Sequence, residues 1–200
     1  MERSSLPLLR ITCHLLPGGI LPLRLSDPVQ VELCKAALTQ DGLIALGFID
    51  EQQKRSNLTP DSMHGIGTRA EIIDFFLTPD QTLSITVKGI DRFKFKQVRE
   101  ARDGLEWADI DPLPNWQDQL LDGEEQVLAS MLEDIYLSYP ELSELHPQKA
   151  LDDAAWISQR WLELLPISDS EKQMLLEHSS CTPVVAYLQQ MLSQSTMSCH

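Results

Sequence analysis

Two hundred residues at 22.6 kDa supply one sizeable domain or two small ones, too little for separate ATPase and catalytic modules. A formal charge of −14 and a pI near 4.6 argue against nucleic acid or an anionic membrane as the main partner. The 42% apolar content is that of a soluble globular chain. The charge is unevenly spread: residues 1–116 carry 13 Lys and Arg against 16 Asp and Glu, whereas residues 117–200 carry 3 against 14. That shift marks two segments with different surroundings, 1–116 and 117–200.

The first segment reads as strands. Residues 6–13 and 20–25 are apolar runs broken by the turn chemistry of Pro17-Gly18-Gly19. Asp27 can cap a helix and Pro28 suits its first position, so 28–40 is predicted helical, with Val29, Leu33 and Ala37 on one face. Residues 43–49 form a nearly all-apolar strand. A polar stretch, 50–64, with Lys54, Arg55, Asn57, Pro60 and Asp61, reads as an exposed loop. Residues 65–77 and 82–87 predict a hairpin around Thr78-Pro79-Asp80-Gln81, and strands at 92–98 and 105–110 follow. About six short strands and one helix fit a small barrel better than a layered α/β sheet.

After Gln117 the apolar period becomes 3.6. Leu128, Met131, Leu132, Ile135 and Tyr139 mark a helix ending before Pro140. Pro147 is expected to open a second helix, through Leu151, Trp161 and Leu165, to Pro166. Ser168-Asp169-Ser170-Glu171 is a capping box for a third, and Thr182-Pro183 starts a fourth, with a fraying tail from Ser193. The fold class is therefore α+β, strands first and an all-helical bundle after.

The sequence lacks a P-loop, a G-x-S-x-G elbow and a G-x-G-x-x-G, since Gly65-Ile66-Gly67 lacks its third glycine. His14, His64, His146, His178 and His200 lie far apart, so neither a metal nor a cofactor is expected. Cys13, Cys34, Cys181 and Cys199 show no C-x-x-C pairing. With no apolar run long enough for a membrane span and no secretory signal, they read as reduced thiols in a cytoplasmic protein, the first three packed as small hydrophobes. Lys88, Arg92, Lys94, Lys96, Arg99 and Arg102 form one basic stretch. Its alternation with Phe93 and Phe95 marks the solvated face of a strand, and an RNA-contacting edge is the alternative.

Four blocks in order resemble the N-terminal (substrate-binding) domain of Lon proteases. Leu6-Pro7-Leu8 with Leu16-Pro17-Gly18-Gly19-Ile20-Leu21-Pro22-Leu23 is similar to that family's opening, and Gly65-Ile66-Gly67-Thr68-Arg69-Ala70-Glu71-Ile72 to its next motif. The run from Leu83 to Phe93, through Lys88-Gly89-Ile90-Asp91-Arg92, and the run from Leu164 to Gln173, with Pro166-Ile167-Ser168, complete the match. Two departures stand out. Leu25-Ser26-Asp27-Pro28-Val29-Gln30 lacks the aromatics that many members carry there. Asp80-Gln81 replaces a common Asp-Gly, which disfavours a two-residue turn with positive φ at Gln81.

The resemblance implies a PUA-like pseudo-barrel followed by a helical bundle, without the ATPase and peptidase that follow this domain in Lon. It implies a non-catalytic module for unfolded or partly folded protein segments, an adaptor or regulator in proteolysis, with a full-length protease as a further partner. Such binding calls for exposed apolar surface. Phe75, Phe76 and Leu77 are the leading candidates, because adjacent strand residues face opposite ways and not all three can enter one core. Trp107 alternates with Ala108 in the same manner, Trp116 stands between the two segments, and Trp156 falls beside the apolar stripe, where it would line a junction or a homo-oligomer contact. The competing functions are an RNA- or nucleotide-binding module and a small hydrolase with its site in an interdomain cleft.

Overall fold

The computed structural model describes residues 5–49 and 65–197, with side chains through residue 193. The polar stretch 50–64, His64, Cys199 and His200 lie outside the described residues. The chain divides into two compact units, Met1–Pro114 and Asn115–His200.

The first unit contains β1 (Ser5–Ile11), β2 (Ile20–Leu25), α1 (Pro28–Leu38), β3 (Leu43–Phe48), β4 (Ile66–Leu77), β5 (Leu83–Glu100) and β6 (Glu106–Pro112). The strand order is β2-β5-β4-β3-β1-β6, and β5 also pairs with β6, so five strands close on themselves while β2 lies against the first half of β5. β1 and β3 run parallel and every other pair is antiparallel. Closure needs a strand that serves two sets of neighbours, and β5 is that strand. The two short strands expected at 82–87 and 92–98 are one 18-residue strand.

Gly89 explains the fusion. A Cβ there would lie 2.3 Å from the Leu16 carbonyl oxygen, and the bare backbone lets the Pro17-Gly18 turn dock on it. The Gly18 N–H donates to the Gly89 carbonyl and the Gly89 N–H to the Gly19 carbonyl, each at 2.9 Å. The turn itself closes through the Gly19 N–H to the Leu16 carbonyl, with Gly18 at φ +74°, a conformation open to glycine at no steric cost.

Both faces of β1 and β3 are buried. Leu9, Ile11, Ile44, Leu46, Ile85 and Val87 pack with Leu33, Cys34 and Ala37 of α1. Leu6, Leu8, Ala45, Phe93, Ala108 and Ile110 form a second cluster. Neighbours along β1 and β3 thus enter opposite clusters, which is why β3 reads as an unbroken apolar run. Arg92, expected on a solvated face, is instead 1% exposed. Its Nη2 donates to the Pro114 carbonyl, and burial pulls its pKa down to about 10.

The second unit contains α2 (Gln126–Ser138), α3 (Pro140–Leu145), α4 (Ala154–Leu164), α5 (Asp169–Leu176) and α6 (Thr182–Met197). Pro140 does more than stop α2: it opens α3, a helix the periodicity did not announce. The helix expected from Pro147 begins only at Ala154, because the Asp153 carboxylate caps the Ala155 and Trp156 amides. At its start, the Leu121 N–H donates to the Asp152 carbonyl and the Ala154 N–H to the Gln119 carbonyl, and these bonds tie 119–121 to the residues that lead into α4. Nearly all of α4 is buried, from Ala154 to Leu162, so it is the unit's central helix. The expected Ser168 capping box is formed at α5, and α6 runs on through Met197 rather than ending at Ser193.

Candidate protein-binding site

Residues 83–87 of β5 pair with β2 and with the far end of β4, from Leu25↔Leu83↔Leu77 to Leu23↔Ile85↔Phe75. Directly opposed residues share a face. Leu25, Leu83 and Leu77 therefore form one row, which passes from 4% exposed at Leu25 through a half-buried Leu83 to 61% at Leu77. The core gives out along this row while the sequence stays apolar.

Phe75 shares that face with Ile85 and is 60% exposed, although Ile85 is buried. Phe76 opposes Ser84 on the other face and is 49% exposed. A β-bulge between Ile72 and Asp74 shifts the register and leaves Ile73 exposed as well. The end of the β4–β5 hairpin thus presents large apolar side chains on both faces. Ile73 belongs to this surface but was not read from the sequence, because the bulge leaves no mark in the residue pattern.

The hairpin is closed by a loop of three residues. The Gln81 N–H donates to the Thr78 carbonyl and the Thr78 N–H to the Thr82 carbonyl, both at 2.9 Å. Gln81 takes φ +64°, the left-handed position that a glycine normally fills in this turn. The disfavoured two-residue turn is absent, yet the positive φ at Gln81 is present. Asp80 holds the loop: its carboxylate accepts from the Thr78 hydroxyl, from Arg24 of β2 and from Thr82. The Thr78 bond is the leading reason that its carboxyl lies below the usual range, and the Arg24 charge adds to it.

Beside this end lies a groove of about 520 Å³, walled by Leu25, Pro28, Val31, Leu77 and Leu83 and edged by Asp27 and Glu32. The Asp27 capping box, in which the carboxylate accepts from the Val29 amide and the Asp27 N–H donates to the Gln30 side-chain oxygen, fixes the start of α1 along it.

The three candidate tryptophans have other placements. Trp107 is half-buried against the α1-side cluster, between Pro7 of β1 and Arg99 of β5. Trp116 is 4% exposed, and its indole N–H donates to the His178 carbonyl at 2.8 Å, so it is a packing residue of the helical unit and not a surface one. Trp156 is half-buried, with the His146 ring edge-on at 5.7 Å and the Arg160 guanidinium over its face at 5.5 Å. The sequence grouped these with Phe75, Phe76 and Leu77; the structure does not join them into one patch.

In the basic stretch, Arg92 is buried, Lys96 pairs with Asp111, and Arg99 pairs with Asp109 and reaches the Ser5 hydroxyl. Lys88, Lys94 and Arg102 are exposed. Cys34 and Cys181 are buried, with the Cys34 thiol pushed up to about 11 by desolvation. Cys13 is exposed and not the packed hydrophobe expected. Among the described residues, His, Cys, Asp and Glu nowhere cluster in a way that would hold a metal ion, and no helix is long and apolar enough to cross a membrane.

A barrel of strands closed by one long β5, then a unit of helices, is the architecture of Lon N-terminal domains. The chain belongs to the ATP-dependent protease La (LON) substrate-binding domain family, which it matches over residues 5–194. It is similar to the crystal structure of a Lon N-terminal domain protein from Xanthomonas campestris, with a TM-score of 0.71 and 26% identity over 96% of this chain and 98% of that one. The N-terminal domain of Mycobacterium avium complex Lon protease shares the fold at a TM-score of 0.64 and 16% identity, covering 94% of this chain and 98% of that one. Lon protease 1 of Hydrogenovibrio crunogenus (strain DSM 25203 / XCL-2) is 27% identical over 80% of this chain, which spans 20% of that protein. Lon protease of Erwinia amylovora is 24% identical over 96% of this chain and 25% of its own length. The chain thus spans a fifth to a quarter of the Lon proteases it matches. The part matched is the non-catalytic substrate-binding domain, and these 200 residues contain no ATPase or peptidase domain.

Proposed function

We propose that this chain is a non-catalytic module that binds unfolded or partly folded protein segments through the apolar end of the β4–β5 hairpin. The observation that carries the reading is the exposure of Phe75, Phe76 and Leu77 on both faces of a strand whose other end is packed. Soluble proteins seldom leave such contiguous apolar surface without a use for it. Membership of a substrate-binding domain family supports the same reading. In a cytoplasmic setting the module would present its client to a full-length protease, as an adaptor or regulator of proteolysis.

The RNA-binding alternative is weakened by the burial of Arg92 and by the aspartates paired with Lys96 and Arg99. The test uses a fluorescent, reduced and alkylated protein that cannot refold. The wild type is expected to bind it, with at least about a tenfold loss in Phe75→Ser and Phe76→Ser variants that remain folded, a few buried aromatic contacts being worth that much. Equal binding by all three proteins rejects these residues as the site.

A further inference from the structure

β4 has β5 along one side from Ile66↔Lys94 to Leu77↔Leu83. On its other side β3 pairs only from Leu46↔Thr68 to Leu43↔Glu71, and one more bond joins the Ile72 N–H to the Gly42 carbonyl at 2.9 Å. Past that point the α1–β3 connection turns away, and the outer edge of 73–77 carries no strand among the described residues. Phase follows from the hairpin loop. The Thr78-to-Thr82 bond makes that pair a hydrogen-bonded one, so alternation directs the amides and carbonyls of Asp74 and Phe76 toward β5 and those of Phe75 and Leu77 outward. The Phe75 amide agrees: it donates to the Asp74 carboxylate at 2.8 Å, not to β5.

An open edge flanked by large apolar side chains is what folded proteins usually blunt. Here the only device on the edge itself is the Asp74 carboxylate. Asp74 lies on the face of β4 opposite Phe75 and Leu77 and has no ion-pair partner among the described residues, whereas Glu71 on the same face already lies between Leu43 of β3 and Lys88 of β5.

We propose that the occupant of this edge is an extended client segment, docked as an added strand antiparallel to β4 in the slot where β3 would continue. This rests on the reading above and names its mode. The segment would carry apolar residues at alternate positions, set beside Phe75 and Leu77, and a Lys or Arg at the position opposite Asp74. Backbone hydrogen bonds supply sequence-tolerant affinity, as an unfolded-segment binder needs. A second copy of the chain is the poorer fit, because antiparallel pairing along the same edge would bring a second Asp74 carboxylate onto the face that already carries one.

The experiment uses fluorescence anisotropy with the full chain and a short labelled peptide of alternating Ile or Val and Lys or Arg. Antiparallel pairing turns the amides of the apolar residues toward β4. N-methylating those amides is expected to weaken binding about tenfold or more, and N-methylating the amides of the basic residues to leave it within about twofold. Replacing the basic residues by Glu is expected to weaken binding about fivefold, and Asp74→Lys to reverse that preference. Leu77→Pro removes one outward donor and spares the ladder to β5, so it should fold and lose binding. Equal loss from the two methylations would overturn edge pairing while leaving unfolded-protein capture at Phe75 and Phe76 intact. Failure to bind the peptide by a chain that still captures the unfolded protein would also overturn it. So would a dimer in sedimentation that Leu77→Pro disperses and the peptide does not.

Discussion

Two groups of aromatic side chains in this molecule look alike in sequence and end in opposite circumstances. Phe75 and Phe76 lie at the far end of β4, 60% and 49% exposed. Trp116 and Trp161 of the helical unit are buried and Trp156 is half-buried, and each has a specific partner. Trp116 and Trp161 donate to the His178 and Leu128 carbonyls, and Trp156 meets the His146 ring and the Arg160 guanidinium. An indole carries a polar handle, and a buried one is stable only where a carbonyl meets it. Phenylalanine has no such requirement, so it tolerates the rim of a core. The helical aromatics hold a structure together; the hairpin aromatics remain available to a partner.

The largest effect should come from the helical set. Trp161 is 6% exposed and walls an apolar cavity of about 110 Å³ with Leu128, Leu165 and Leu188. Trp161→Ala should lower stability by about 3–5 kcal/mol, from lost burial, an enlarged cavity and the lost indole bond to the Leu128 carbonyl. Urea unfolding followed by circular dichroism measures this, and a loss below about 1 kcal/mol would erase the contrast between the two groups.

The second effect is acid lability in the same region. His146 is buried against the Tyr136 and Trp156 rings. Desolvation first, then the charges of Arg160 and Lys149, pull its pKa down to about 4. Desolvation also pushes the Tyr136 phenol up to about 12, so that group stays neutral throughout. The folded state therefore keeps His146 neutral while the unfolded chain takes up a proton near its ordinary value of 6.5. The unfolded state binds more protons below that pH, so stability is full above about pH 6.5 and falls as the pH drops toward 4, by up to about 3 kcal/mol. Unfolding curves across this range for the wild type and His146→Gln should differ in slope. Parallel curves would show that the carboxylates, not His146, govern the acid limb.

Which parts of this could be read from the residues follows a physical division. Signals set by local sequence were legible: the Asp27 and Ser168 caps, the Pro17-Gly18 turn, the strand alternation, and the family motifs that fixed the fold. Those set by contacts distant in sequence were not. Gly89 reads locally as a strand breaker, and only the Leu16 backbone lying against it shows why β5 continues through. Arg92 reads as one of a row of solvated cations until the Pro114 carbonyl is seen to receive it. Phe75, Phe76 and Leu77 were singled out because three adjacent apolar residues cannot share one face of a strand. Strand alternation alone does not reveal that Phe75 and Leu77, on the core-facing side, are exposed as well. Their exposure depends on where the core gives out along β4, which is a property of the assembled barrel.

The smallest effect is the most discriminating. If the hairpin end contributes little to the fold, Phe75→Ser and Phe76→Ser should each change stability by no more than about 1 kcal/mol, the scale of strand propensity at a largely exposed site. Phe93 at the other end of the same ribbon is fully buried, edge-on to Phe95 at 4.9 Å, and so close to Gly67 that a Cβ there would lie 2.5 Å from its ring. One strand pair thus carries a phenylalanine the barrel cannot lose and two that it can. Unfolding midpoints separate the cases directly. A large destabilisation at Phe75 or Phe76 would mean that the hairpin end is a structural element in its own right, and its exposed apolar surface would then no longer argue for a client.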